Sequence, residues 1–400
     1  MPLPPSYKRL LLLFPVALVL PYCLYGWAWL IATGIGYHGA IRPLYNALGW
    51  DWAIFHTAAR AWYDGSLAHI YDQVWLNEAL KAAFTHGLYE SLSYPAFHYP
   101  PTFLLLLIPF GALSFATSYA LAQVLTFSGL VCALKRFTGQ TQQFWFYAVS
   151  LLVCPASSNN VMAGQNVFLI AALYVVGFGL LNAQPLLAGA VMGIASFKPQ
   201  LALMVPFALL GARNWRALTG AAASALLLVL VSVLVFGWGI WEQWFALMLY
   251  PRHDVVYTGI DWGRMWDDSV FTIATLLGAS KAVANVIQAS ATLAAAACVF
   301  LAYRRPMADD LRFAVFLAAS VVGSPHVSPY DMILLAYAAT ILVWNLLQEE
   351  FRPAAFVIPL AAWLLPLACP PRKLVTGYAV PVVIFALIGA LMLRAPKLRT

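Results

Sequence analysis

The chain has 400 residues, of which 63% are hydrophobic and only 9% charged, whereas a soluble protein is about half apolar and about a quarter charged. That composition, with a mean hydropathy of +0.80, excludes a soluble enzyme, and apolar runs that are continuous rather than alternating exclude a membrane β-barrel. The formal charge of +7 leaves no basic stripe for a phosphodiester backbone, so nucleic acid is not an expected partner. The expected architecture is an all-α polytopic membrane protein, a single domain over 1–400, with about 12 transmembrane helices.

The first apolar run, 9–33, follows Lys8 and Arg9. It has no small-residue cleavage site and reads as an uncleaved span with a cytoplasmic N-terminus. Segment 34–98 is too long for a turn and reads as a first outer loop carrying surface helices. Within it, Ala53–Asp64 forms a helical stretch closed by Gly65, with His56, Arg60 and Asp64 on one face. Asp72–Thr85 forms another, capped by Asp72 and stopped by Gly87. The stretch WDWAIFHTAAR opens this region and puts Asp51 between two tryptophans. An aspartate there is either the N-cap of the following helix or a general base at the membrane boundary.

Segment 99–113 is framed by prolines and reads as a partial crossing. Spans follow over 115–134, 142–157, 167–181, 185–197, 199–211 and 217–237. A second outer loop, 238–268, holds Trp241, Trp244, Trp262 and Trp266 beside Arg252, His253 and Arg264. The last spans are 283–303, 313–323, 331–348, 353–369 and 374–393. Followed from the N-terminus, these spans put 13 of the 22 basic residues but only four of the 15 acids on the inner face, the positive-inside pattern. Both termini are then cytoplasmic.

Few polar residues interrupt the spans, and each needs a reason. Lys198 lies between two apolar runs, where a charge costs about 2.5–3.5 kcal/mol and usually marks a site; it either snorkels or meets a lipid phosphate. Gln165 and Asn166 sit at the outer mouth of a helix, where amides bond sugar hydroxyls or cap the helix. In SPHVSPYD, His326, Tyr330 and Asp331 cluster around two prolines, an irregular stretch that survives at membrane depth only beside protein or a wet cavity. The five cysteines lie in or beside apolar runs and read as packing residues, with neither disulfides nor zinc expected. No metal-ligand spacing and no Gly-rich phosphate loop occurs. Any phosphate must then be met by side-chain cations.

Six stretches together resemble glycosyltransferase family 87: DWAIFHTAARAWYDGSLAHIYD at 51–72, YPPTFLLLLIPFGALS at 99–114, GQNVFLIAAL at 164–173, KPQLALMVPFALLGARNWRAL at 198–218, DSVFTIATLLGASKAVANVIQ at 268–288 and SPHVSPYDMILL at 324–335. The resemblance implies a GT-C-type helical bundle that moves a hexose, mannose above all, from a polyprenyl-phosphate donor to a lipid or glycan acceptor with inversion and without metal or other cofactor. It maps the catalytic base onto Asp51 and a site histidine onto His326. Lys198, Arg252, His253 and Arg264 are then the candidates for holding the donor phosphate, and Gln165, Asn166 and Tyr99 for shaping the sugar pocket. The expected setting is the cell's inner (plasma) membrane, with the site facing the periplasmic or extracellular side, the chain a monomer, and membrane lipids, donor and acceptor as its partners. A transporter or lipid-linked-sugar flippase, and a periplasmic polysaccharide polymerase or ligase, remain as alternatives; a transporter would be expected to show internal repeats, and none is evident.

Overall fold

The computed structural model describes residues 48–83, 96–249, 267–368 and 377–394. The expected first span at 9–33, and Arg252, His253, Arg264, Trp262 and Trp266, lie outside them. The described residues are all-helical, with eighteen α-helices.

Among the described residues, three helices are long and apolar enough to cross a membrane: α4 (Phe115–Phe137), α11 (Trp215–Phe236) and α14 (Lys281–Arg304). Each starts at a side-chain cap, where Ser114, Asn214 and Ser280 accept from the backbone N–H three residues on. Lys135 and Arg136 close α4 and Arg304 closes α14, cations suited to the negative end of the helix dipole. Helix α11 leaves most of its surface open, including Leu226, Leu227, Leu230 and Leu234. A leucine stripe of this kind meets lipid rather than water.

The remaining apolar helices are shorter than a bilayer is thick. Helix α3 (Pro101–Gly111) has 11 residues, about 16 Å at 1.5 Å each, about half a hydrocarbon core. The expected span 142–157 is two helices, α5 (Thr141–Val153) and α6 (Pro155–Ala163). Cys154 between them is extended at ψ 146°, as the residue before a proline is pushed to be. The expected span 199–211 also divides, into α9 (Pro199–Ala202) and α10 (Val205–Gly211). Pro206 has no N–H to return to Ala202, so the ladder fails there.

Close approach of backbones holds these pieces together. A Cβ added at Gly189, on α8 (Pro185–Ile194), would lie 1.8 Å from the Ala217 carbonyl oxygen of α11. One added at Gly220 would lie 2.1 Å from the Leu186 oxygen. Small residues at both faces let α8 and α11 touch, the usual basis of helix association in lipid. At the centre are α15 (Asp309–Val322) and α16 (Ile333–Leu347), buried on nearly every face. Beyond the charged first turn of α15 their sequences are apolar all round, as a helix enclosed by others must be. The segment joining them, 323–332, therefore emerges from the middle of the bundle.

Candidate active site

Helix α1 (Trp50–Tyr63) carries Asp51 in its first turn. Asp51 is not the N-cap. That position is Gly49, in the left-handed region at φ 73° with no side chain to cap with, and the helix starts earlier than a capping aspartate would allow. Gly49 N–H donates to Met162 O of α6 at 2.6 Å, and a Cβ on Gly164 would come within 2.4 Å of Trp52 Cβ. The start of α1 is thus pinned against the end of α6. Trp52 anchors it further through Nε1, which donates to Ser118 Oγ of α4 at 2.9 Å.

This docking brings Asp51 against Gln165, 114 residues away in sequence. Gln165 Nε2 donates to Asp51 Oδ2 at 2.7 Å and to the Tyr330 hydroxyl at 3.2 Å. Its Oε1 accepts from the Tyr99 hydroxyl at 2.9 Å. The Gln165 backbone oxygen is held by Gln123 Nε2 and Asn160 Nδ2, both at 3.1 Å. With its carboxamide and main chain both fixed, Gln165 is a rigid cradle for the carboxylate. Tyr99 is likewise gripped by its ring, which packs on Phe103 with centroids 4.4 Å apart and on Phe55 at 5.1 Å.

Lys198 lies at the break before α9, 2% exposed, with Nζ 2.6 Å from Asp331 Oδ1. The Asp331 Oδ2 atom accepts from Ser328 N–H at 3.0 Å, and the Tyr330 and Tyr99 rings stand 5.1 and 5.9 Å from Nζ. Lys198 thus ties α9 to the central break, its charge already compensated by Asp331. Lys198 lies in the Asp51 cluster, held in an ion pair with Asp331 where the sequence suggested a cation facing a lipid phosphate.

His326 projects from the same break and keeps half its side chain accessible, with Nδ1 3.4 Å from Asp267 Oδ2. His98 joins it; the two imidazoles interact electrostatically, and the His98 carbonyl accepts from Trp244 Nε1 at 3.0 Å. Asn166 is 5% exposed, and neither atom of its carboxamide has a hydrogen-bond partner among the described residues. This buried amide, which has the Tyr99 hydroxyl as a polar neighbour, sits next to Gln165 at the start of α7 (Val167–Leu180).

The electrostatics follow from this enclosure. Burial raises the Asp51 carboxyl to about 6, against the opposing pull of the Gln165 amide and the Lys198 charge, with Tyr330 and His326 adding less. Desolvation by its neighbours, reinforced by the His326 charge, lowers His98 to about 4. For His326, desolvation on its protein side opposes the cation, but the Asp267 carboxylate, helped by Asp331, prevails and raises the pKa.

The sequence readings of Asp51, Tyr99, Gln165, Asn166, Lys198 and His326 thus fall in one neighbourhood. The site partners Asp267 and His98 were given no role by the sequence reading. Asp331 was visible in SPHVSPYD, but nothing in the spacing tied it to Lys198. A separate cavity of about 1000 Å³ lies near Phe137, Tyr147, Asp310 and Phe313. It shares no lining residue with the Asp51 cluster, and several of its polar groups pair with one another, Gln143 Nε2 donating to the Tyr147 hydroxyl at 2.9 Å and Arg312 pairing with Asp309.

A model of glycosyltransferase family 87 matches residues 97–329, more than half of the chain. That interval contains Tyr99, Gln165, Lys198, Asp267 and His326, while Asp51 precedes it. No curated protein and no solved structure matches the chain. The family sets aside the transporter reading and makes the chain a membrane glycosyltransferase, for with that match over most of its length the chain belongs to glycosyltransferase family 87.

Proposed function

We propose that this glycosyltransferase takes a hexose, mannose first among candidates, from a polyprenyl-phosphate donor and passes it to a lipid or glycan acceptor at the outer face of the cell membrane. The observation that carries the reading is the Asp51 carboxylate, cradled by Gln165 and raised to about 6. A base is most effective when its pKa lies near the working pH, and few carboxylates reach that value without a reason.

In the proposed reaction the Asp51 carboxylate accepts the acceptor's O–H proton. The acceptor oxygen bonds the anomeric carbon from one side. The bond from that carbon to the phosphate oxygen breaks on the other, inverting the centre, and the electron pair leaves with the lipid phosphate. Negative charge grows on that phosphate as the bond breaks, and a fixed cation meeting it in a dry cleft is worth more than one in water. The accessible His326, whose charged form Asp267 favours, would supply that charge, whereas Lys198, paired with Asp331, holds the break in place. Tyr99, Gln165 and the buried amide of Asn166 would hold the sugar hydroxyls. The donor is already confined to the bilayer, which lowers the entropic cost of bringing it to the site.

The test offers the purified protein synthetic polyprenyl-phosphate mannose and, separately, a nucleotide-linked mannose, each with and without chelator. Chelator-resistant transfer from the lipid donor alone is the expected result. Transfer from the nucleotide sugar alone would overturn the donor assignment.

A further inference from the structure

We propose that Asp267 is a positioning residue for His326, holding the imidazole in its charged form and in a fixed orientation through Nδ1, so that Nε2 is left for a ligand. The inference rests on the proposed donor chemistry for its functional meaning, but the pairing stands on geometry. Asp267 lies just before α13 (Val270–Leu276) and 59 residues ahead of the histidine.

The Asp267 carboxylate is bound on every side. Oδ1 accepts from Ser269 N–H at 2.9 Å and from Val327 N–H at 3.0 Å. Oδ2 accepts from the Thr272 hydroxyl at 2.8 Å and stands 3.4 Å from His326 Nδ1. Next door, Asp268 N–H donates to Val327 O at 2.6 Å. The start of α13 is thereby stitched to the residue that follows the histidine, so the carboxylate cannot swing away without breaking several bonds. A carboxylate with both oxygens spoken for holds an imidazole ring in one plane and keeps Nδ1 protonated. Nε2 has no partner among the described residues, and half of the His326 side chain is accessible. That nitrogen is free to give its proton to an anionic oxygen of a ligand.

Other charges bear on the ring. Asp331 favours the cation, and Lys198 opposes it. His98 and Asp51 also interact with it. Asp267 is the largest favourable influence. Its own carboxyl is driven far below the ordinary range: burial resists this, but the His326 charge and the Val327 and Ser269 N–H groups prevail.

The experiment follows the ring directly. Full-length protein with isotope-labelled histidine is placed in lipid nanodiscs and titrated by NMR; His326 is picked out of the seven histidines by its loss in His326→Gln. The wild-type ring should titrate above the ordinary 6.5. In Asp267→Asn its proton affinity should fall about tenfold or more, one pH unit, and in Asp267→Glu it should largely return. The alkaline limb of sugar transfer should move to lower pH in the Asn variant by the same amount, because the cation is lost sooner as pH rises. An identical His326 midpoint in wild type and Asp267→Asn would overturn the inference. If the Asn variant does not fold, the wild-type midpoint decides, and a value at or below 6.5 overturns it equally. A wild type that moves no sugar from a polyprenyl-phosphate donor, while its His326 still titrates high and follows Asp267, would sink the donor assignment and leave the pairing intact.

Discussion

Replacing Asp51 by asparagine should stop the enzyme and stabilise it. The carboxyl titrates at about 6 in the fold instead of its ordinary 3.8, so the folded protein resists its ionisation by about two pH units. At about 1.36 kcal/mol per unit, keeping the charged carboxylate in the site costs the fold about 3 kcal/mol at pH 7. A raised carboxylate works in the sense opposite to the usual salt-bridged aspartate. The cost is absent well below pH 3.8, grows between 3.8 and about 6, and is constant above. Asparagine keeps an oxygen for the 2.7 Å bond from Gln165 Nε2 and carries no charge. Asp51→Asn should therefore gain about 3 kcal/mol over wild type at pH 7 and under about 1 kcal/mol at pH 4, read as unfolding by heat or denaturing detergent in a fixed lipid environment. Turnover should fall by about 10²–10⁴-fold, the share that general base catalysis typically supplies. A variant destabilised at pH 7 would refute this reasoning, because the carboxylate would then be a structural partner and not a strained base.

Two further outcomes follow from the same geometry. Wild-type transfer should rise as pH climbs through about 6, since the base acts deprotonated, and Gln165→Leu, by removing an amide that favours the charged form, should move that acidic limb to higher pH in a rate profile; a limb that stays in place would detach Gln165 from Asp51. Asp331→Asn strands the buried Lys198 charge and should cost about 3–5 kcal/mol, whereas removing both as Lys198→Met with Asp331→Leu should cost less; unfolding of the two variants side by side checks this.

What the sequence made legible, and what it hid, divides along a physical line. Helices α11 and α14 could be read because a single apolar run carries each across, with Asn214 and Ser280 in place as caps. Two expected spans proved to be pairs of shorter helices. The prolines at 155 and 206 were plain in the sequence, but apolarity alone does not register a failed backbone bond. At the site, the polar residues could be picked out because a polar side chain among apolar runs must have a purpose. Their partners could not. Asp51 and Gln165 are 114 positions apart, Lys198 and Asp331 are 133 apart, and no periodicity encodes such a meeting. Lys198 looked like a free cation for this reason, and nothing near Asp267 in the sequence pointed to its histidine partner, 59 residues on.

The most direct test of the central claim is single-turnover transfer of labelled mannose from polyprenyl-phosphate mannose, with wild type and Asp51→Asn compared at pH 7 after both are shown to be folded. The account predicts an inverted product from wild type and a rate at least about 10²-fold lower from the variant, with donor binding retained. Equal rates would contradict it, and the catalytic base would have to be sought elsewhere in the cluster.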